Sequence, residues 1–238
     1  MGEAIISDCG AYRYRLERDF YRPGPVAAVF MVNPSTADAS QDDATIRRLL
    51  GFGSRLGWHS VIVGNVFAYR ATDVKRLDWE AYDPVGPDNE RHIRDIMRAA
   101  DVHIAAWGPL SKLPNRLRLR WQMIERCARD EGYDLKCWGT AKDGHPRHPL
   151  MLSYDTPLTA WSAPIPPRKD REMSEWQPIK SAPRDDGEII MVWNGKEVTP
   201  ASRYESGWTD FYCDWIDPQP THWQSLPPPP LNPMEAER

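Results

Sequence analysis

The chain is poor in cysteine, and none of its cysteines are spaced to act together: Cys9, Cys127, Cys137 and Cys213 are scattered over 238 residues with no Cys-x-x-Cys pair. That argues against a disulfide framework and a zinc ribbon, and the expectation is reduced thiols. Long apolar runs are also missing. No stretch approaches the roughly 20 apolar residues of a membrane helix, and Met1-Gly2-Glu3-Ala4 does not open a basic segment followed by an apolar one. A cytoplasmic protein without a membrane partner is expected. Gly-x-Gly-x-x-Gly, a phosphate loop ending in Gly-Lys-Ser/Thr, His-Glu-x-x-His and Gly-x-Ser-x-Gly are all lacking. Their lack argues against a nicotinamide enzyme, a P-loop kinase and a serine hydrolase, and neither a cofactor nor a metal is expected.

Strong charge of one sign is lacking too, since the formal net charge is −4. Its distribution says more: residues 1–161 carry 22 Lys and Arg against 21 Asp and Glu, and residues 162–238 carry 8 against 13. Positive residues of the first part are mostly arginine, including Arg116, Arg118 and Arg120. This suits contact with phosphate and equally suits a solvated helix face.

What is present is an alternation of strand and helix. Val26–Val32 is a short apolar run, and Thr45–Leu56 places Ile46, Leu49, Leu50, Phe52 and Leu56 at helical spacing, with Asp42 or Asp43 as N-cap. Val61–Phe67 reads as a second strand, Asp88–Ala100 as a second helix and Val102–Trp107 as a third strand. A third helix near Arg116–Asp130 precedes a strand around Leu135–Trp138. Continuous apolar strands joined by helices predict an α/β fold, a three-layer α/β/α domain with a mainly parallel central sheet, over residues 1–161. The segment around Tyr12-Arg13-Tyr14-Arg15 and Arg18 does not fit the repeat and is expected as an edge strand or pair.

A Pro-rich linker is expected at residues 162–173 and a small Trp-rich antiparallel β domain at 174–230, with a tail at 231–238. Glu188–Trp193 is strand-like, Asn194-Gly195 is a hairpin turn, and Trp176, Trp193, Trp208, Trp215 and Trp223 can fill a small core. Leu226-Pro227-Pro228-Pro229-Pro230 reads as extended polyproline, either a solvated tail or a docking segment for a protein partner.

Loops that follow parallel strands emerge together at the carboxyl edge, so motifs distant in sequence can meet there. Asn33-Pro34-Ser35-Thr36-Ala37-Asp38 follows the first strand, and Gly144-His145-Pro146-Arg147-His148-Pro149 follows the last. Pro34 fixes the chain direction beside Asn33, whose amide can orient a water or substrate; alternatively Asn33, Ser35 and Thr36 only satisfy a tight turn. Asn65, beside Gly64, can donate and accept side by side and so match a nucleobase edge, with Phe67 or Tyr69 as a stacking face or as core. Arg70 and Thr72-Asp73 either contact substrate or cap the next segment. His145 and His148 suit an acid or hydrogen-bond donor better than a metal site, because Pro146 and Pro149 break helical geometry, and Arg147 can bind phosphate. Asp38, Asp42 and Asp43 offer a general base or a seat for a divalent cation, at least one of them being explained as a helix cap.

Taken together, Cys9-Gly10-x-Tyr12-Arg13-Tyr14, the Asn33–Asp38 motif, Asp42–Arg48, Asn65–Thr72, Asp83-Pro84-Val85-Gly86-Pro87-x-Asn89, Ala106-Trp107-Gly108 and Gly144–Leu150 resemble a bacterial and phage family, domain of unknown function 1643, over about residues 5–161. Trp176–Ile179 and Thr221–Gln224 with the proline tail resemble a second small phage domain, domain of unknown function 551. That pairing implies a phage or prophage source and thus a bacterial host cytoplasm. More distantly, the motif order resembles the uracil-DNA glycosylase superfamily. The resemblance implies that Asn33 positions an attacking water, Asn65 reads the base and His148 stabilises the leaving base. Catalytic roles are accordingly expected for Asn33, His148 and Asp38, and substrate contacts for Ser35, Thr36, Asn65, Phe67, Arg70, His145 and Arg147. The expectation is a nucleobase- or nucleotide-handling protein, a glycosylase-like hydrolase or transferase acting on an ordinary or modified DNA base. The alternative is a non-catalytic nucleotide or DNA binder whose C-terminal domain recruits a protein.

Overall fold

Sequence runs that are apolar at every position become strands covered on both faces. β3 (Val26–Met31) is buried from Ala27 onward and β4 (Ser60–Asn65) is buried throughout. The computed structural model describes residues 2–35, 37–78, 83–114, 117–164, 176–183, 189–204, 207–210 and 216–225. It divides into one unit of Met1–Pro114 with Arg120–Pro164, and a second of Asn115–Leu119 with Ile165–Arg238.

In the first unit, β1 (Gly2–Ile6) and β2 (Arg13–Asp19) form an antiparallel pair, and β2 runs antiparallel to β4. β4 is parallel to β3, β3 to β5 (Val102–Ala105), and β5 to β6 (Leu135–Cys137); β7 (Thr159–Ala160) closes the far edge antiparallel. The order is β1-β2-β4-β3-β5-β6-β7. The N-terminal segment is thus the edge pair that its poor fit to the repeat predicts.

α1 (Ala44–Leu56) begins at Asp43, whose side chain accepts from the Ile46 N–H, and ends at Gly57 in the left-handed region. Asp42 is left to pair with Arg18 at 2.8 Å, which settles which of the two aspartates caps. Ile46, Leu49 and Phe52 of α1 join Ala27, Val29, Val61 and Val63 in one core layer. On the opposite face, a Cβ at Gly64 would stand 2.8 Å from Ile93 and 3.1 Å from Ile96, so the glycine admits α2 (Asn89–Arg98) rather than a ligand. α3 (Trp121–Asp130) lies beside α2, and Arg126 meets Glu90 at 2.9 Å between them. Several arginines of this face are therefore engaged by carboxylates; Arg116 lies outside the described residues.

The second unit carries an antiparallel sheet in the order β11-β10-β9-β12-β8, built from β8 (Gln177–Pro178), β9 (Ile190–Trp193), β10 (Val198–Tyr204), β11 (Gly207–Asp210) and β12 (His222–Ser225). The Asn194 Oδ1 accepts from the Lys196 and Glu197 N–H groups, making the expected turn between β9 and β10. Trp208 and Trp223 pack with Ile190 and Val192. Trp215, the prolines 227–230, the tail and most of the linker lie outside the described residues. Among the described residues no helix is long and apolar enough to cross a membrane.

Candidate functional site

In the parallel core β3 is flanked by β4 on one side and β5 on the other, so its exit loop and that of β5 diverge at the point where strand order reverses. Open α/β sheets hold ligands in that crevice. A cavity of about 430 Å³ occupies it, within the range of small-molecule sites. Asn33 and Ser35 reach it from the β3 exit, Trp107 and Lys112 from the β5 exit, and His148 from the loop after β6. Asp43 lines it from the start of α1 and Arg13 from the start of β2.

Asn33 is held by both donors. Its Nδ2 donates to the Ala71 carbonyl at 2.6 Å and to the Pro34 carbonyl at 3.0 Å, so the turn-satisfying role is real. Yet this leaves Oδ1 without a partner among the described residues, a fixed acceptor on a residue that lines the cavity. Ser35 adds a hydroxyl with no partner among the described residues, and Thr36 lies outside them.

His148 is held the other way round. The Leu150 N–H donates to its Nδ1 at 3.3 Å, which fixes a neutral ring with the proton on Nε2. Burial, and then Lys112, hold its pKa below the usual imidazole value, with Asp43 opposing. The result is a neutral N–H donor without a partner among the described residues. Gly108, at φ +84°, brings the β5 exit against it: a Cβ there would lie 3.4 Å from the His148 Cβ.

Other expected residues stand elsewhere. Asn65 is 1% exposed, behind the cavity, where its Oδ1 accepts from Arg13 at 3.4 Å. Phe67 is fully buried, the core reading of that aromatic. Arg70 donates to the Gly10 carbonyl, and Asp73 accepts from the Lys75 N–H at the start of a short helical turn. Asp38 closes its own turn, its Oδ1 accepting from both the Ser40 and the Gln41 N–H, and these bonds lower its pKa. Arg147 is exposed, and His145 is buried against Trp121 at 4.9 Å. None of these seven lines the cavity. Among the described residues no group of three His, Cys, Asp or Glu is placed to share a metal ion.

Among the lining residues that escape the sequence reading as site residues are Arg13, Trp107 and Lys112. The carboxyl-edge rule that selects Asn33 and His148 also selects the β5 exit, and applied there it would have found Trp107 and Lys112. Trp107 packs edge-on against Trp161 at 5.2 Å, and its indole N–H is buried without a partner.

The two histidines make stability depend on pH. Burial pushes His145 down as it does His148, with Asp143 opposing. Above about pH 6.5 folded and unfolded rings are both neutral, and below it the unfolded chain takes up protons that the folded chain refuses. The urea midpoint should therefore fall from about pH 7 to about pH 5, and fall less in His145→Gln and His148→Gln. A flat midpoint over that interval contradicts the expectation.

An α/β/α domain with a cavity at the reversal of a parallel sheet, walled by a fixed amide acceptor and a neutral imidazole donor, is the class that fold and site define. A family model described as a protein of unknown function (DUF1643) matches residues 13–150, more than half of the chain. The protein belongs to that family. Neither a curated protein nor a solved structure matches the chain.

Proposed function

We propose that the cavity binds a nucleobase with its sugar and cleaves the N-glycosidic bond between them. The observation that carries this reading is the pairing of complementary groups on residues that line one cavity: the Asn33 Oδ1, an acceptor with no partner among the described residues, and the His148 Nε2–H, a donor with none among them. A water accepted by Asn33 attacks the anomeric carbon. The C–N bond breaks with its electron pair on the base, and the His148 N–H stabilises the anion so formed. Asp43 can take the water's proton, since only its Oδ1 is engaged by the Ile46 N–H. The base anion is then reprotonated, which balances the hydrolysis. Trp107 supplies an apolar face. The distant resemblance to uracil-DNA glycosylases supports the same roles for Asn33 and His148.

The test is to incubate the purified protein with DNA containing ordinary and modified bases, and with free nucleosides and nucleotides, and to assay released base by mass spectrometry. Release from at least one substrate supports the reading, and release from none counts against it. A non-catalytic binder gives a saturable, salt-sensitive complex and no product.

A further inference from the structure

The cavity contains a buried charge that no described carboxylate contacts directly; Asp43 and Asp38 favour it from beyond salt-bridge range. Arg13 is 2% exposed and lines the cavity, but its partners are neutral oxygens: Nη1 donates to the Ala37 carbonyl at 2.7 Å and Nη2 to the Asn65 Oδ1 at 3.4 Å. Its Nε–H is buried with no partner, and no described carboxylate is in salt-bridge contact with it. Burial pulls its pKa down to about 10, so it is still a cation at neutral pH. Buried charges are costly unless paired, and a guanidinium fork is shaped for carboxylate or phosphate. Of the charged lining residues Arg13 and Lys112 are cationic and Asp43 anionic, a net +1, and the Asp43 Oδ1 is occupied capping α1.

We propose that the ligand of this cavity carries a terminal phosphate monoester and that Arg13 receives it inside the cavity, with Lys112 and the Ser35 hydroxyl as further donors. A phosphate monoester offers three terminal oxygens, enough acceptors for the Arg13 fork, the Lys112 ammonium and the Ser35 hydroxyl together, which favours it over a carboxylate with two. The proposal rests on the nucleobase reading and narrows it. Phosphodiesters on either side of a base extruded from a strand stay outside the pocket that takes the base, where exposed lysines and arginines meet them. A guanidinium that is 2% exposed serves only a phosphate that enters. The monoester can belong to a free mononucleotide or to the phosphorylated end of a strand.

Isothermal titration of the full chain separates these outcomes. The probes are the four deoxynucleosides, their 5′-monophosphates, inorganic phosphate, and short single strands with and without a 5′-phosphate. At least one monophosphate should bind about tenfold or more tighter than its nucleoside, a difference of about 1.4 kcal/mol. In Arg13→Met that preference should vanish while nucleoside binding persists, and Arg13→Lys should restore part of it. Equal binding of nucleoside and nucleotide by the unaltered protein overturns the proposal, as does a preference that survives in Arg13→Met. Should Arg13→Met not fold, the unaltered protein and Arg13→Lys still decide. Strong binding of phosphorylated strands assigns the monoester to a strand end, and its lack assigns it to a free nucleotide; either supports the phosphate seat. Binding of inorganic phosphate that depends on Arg13, with no nucleoside or nucleotide bound, keeps the seat and overturns the nucleobase reading.

Discussion

Alanine at position 148 should slow base release by about 10²- to 10³-fold, the usual effect of removing one donor to a developing anion. The Leu150 N–H donor to Nδ1 leaves Nε2–H as the only group the ring can offer the cavity. Because that bond strengthens as charge moves onto the base, kcat and kcat/KM should fall together, while affinity for uncleaved ligand changes little. The measurement is single-turnover release on the best substrate, beside binding of the same substrate to the variant. A rate within about twofold of the original removes His148 from the chemistry, since a donor of this kind contributes far more than that. Asn33→Ala is the less clean companion. It removes the water acceptor, but it also frees the Pro34 and Ala71 carbonyls, so its rate loss has to be separated from a loss of stability of about 1–3 kcal/mol.

Phe52→Ala should destabilise the first unit by about 3–5 kcal/mol, the cost of truncating a fully enclosed aromatic ring. Phe52 has no exposed surface, and its ring sits 4.6 Å from that of Trp138 and 5.1 Å from that of Tyr154. It ties α1 to the chain leaving β6, the chain that goes on to His148. The vacated volume has rigid neighbours and cannot collapse easily. Urea denaturation followed by tryptophan fluorescence measures the loss, and a cost below about 1.5 kcal/mol means that the neighbours close the gap.

Much of the fold is legible because burial on both faces writes uninterrupted apolar runs. β3 and β5 fall within the runs that predict them, β4 begins one residue ahead of its run at Ser60, and Asp43 marks the start of α1 by chemistry that operates within four residues. Strand ends are less legible. Val66 and Phe67 remain buried after β4 stops at Asn65, and apolar content does not distinguish a strand from a buried exit. For the site, the edge rule finds Asn33, Ser35 and His148, whose placement depends only on following a strand. It fails for Arg70, Arg147 and His145, because which way a loop side chain turns depends on packing partners far away in sequence. Arg13 is the hardest: an arginine opening a strand of the N-terminal pair looks like a solvated charge until the Ala37 loop and Asn65 are seen to enclose it.

The antiparallel pair β1–β2 sits outside the parallel core, yet it delivers the innermost cation of the crevice. The loops of the parallel sheet hold the amide and the imidazole, whereas a strand of the antiparallel pair holds the guanidinium. On the readings proposed above, substitutions in the N-terminal pair would change which anion the crevice takes and leave Asn33 and His148 where they are.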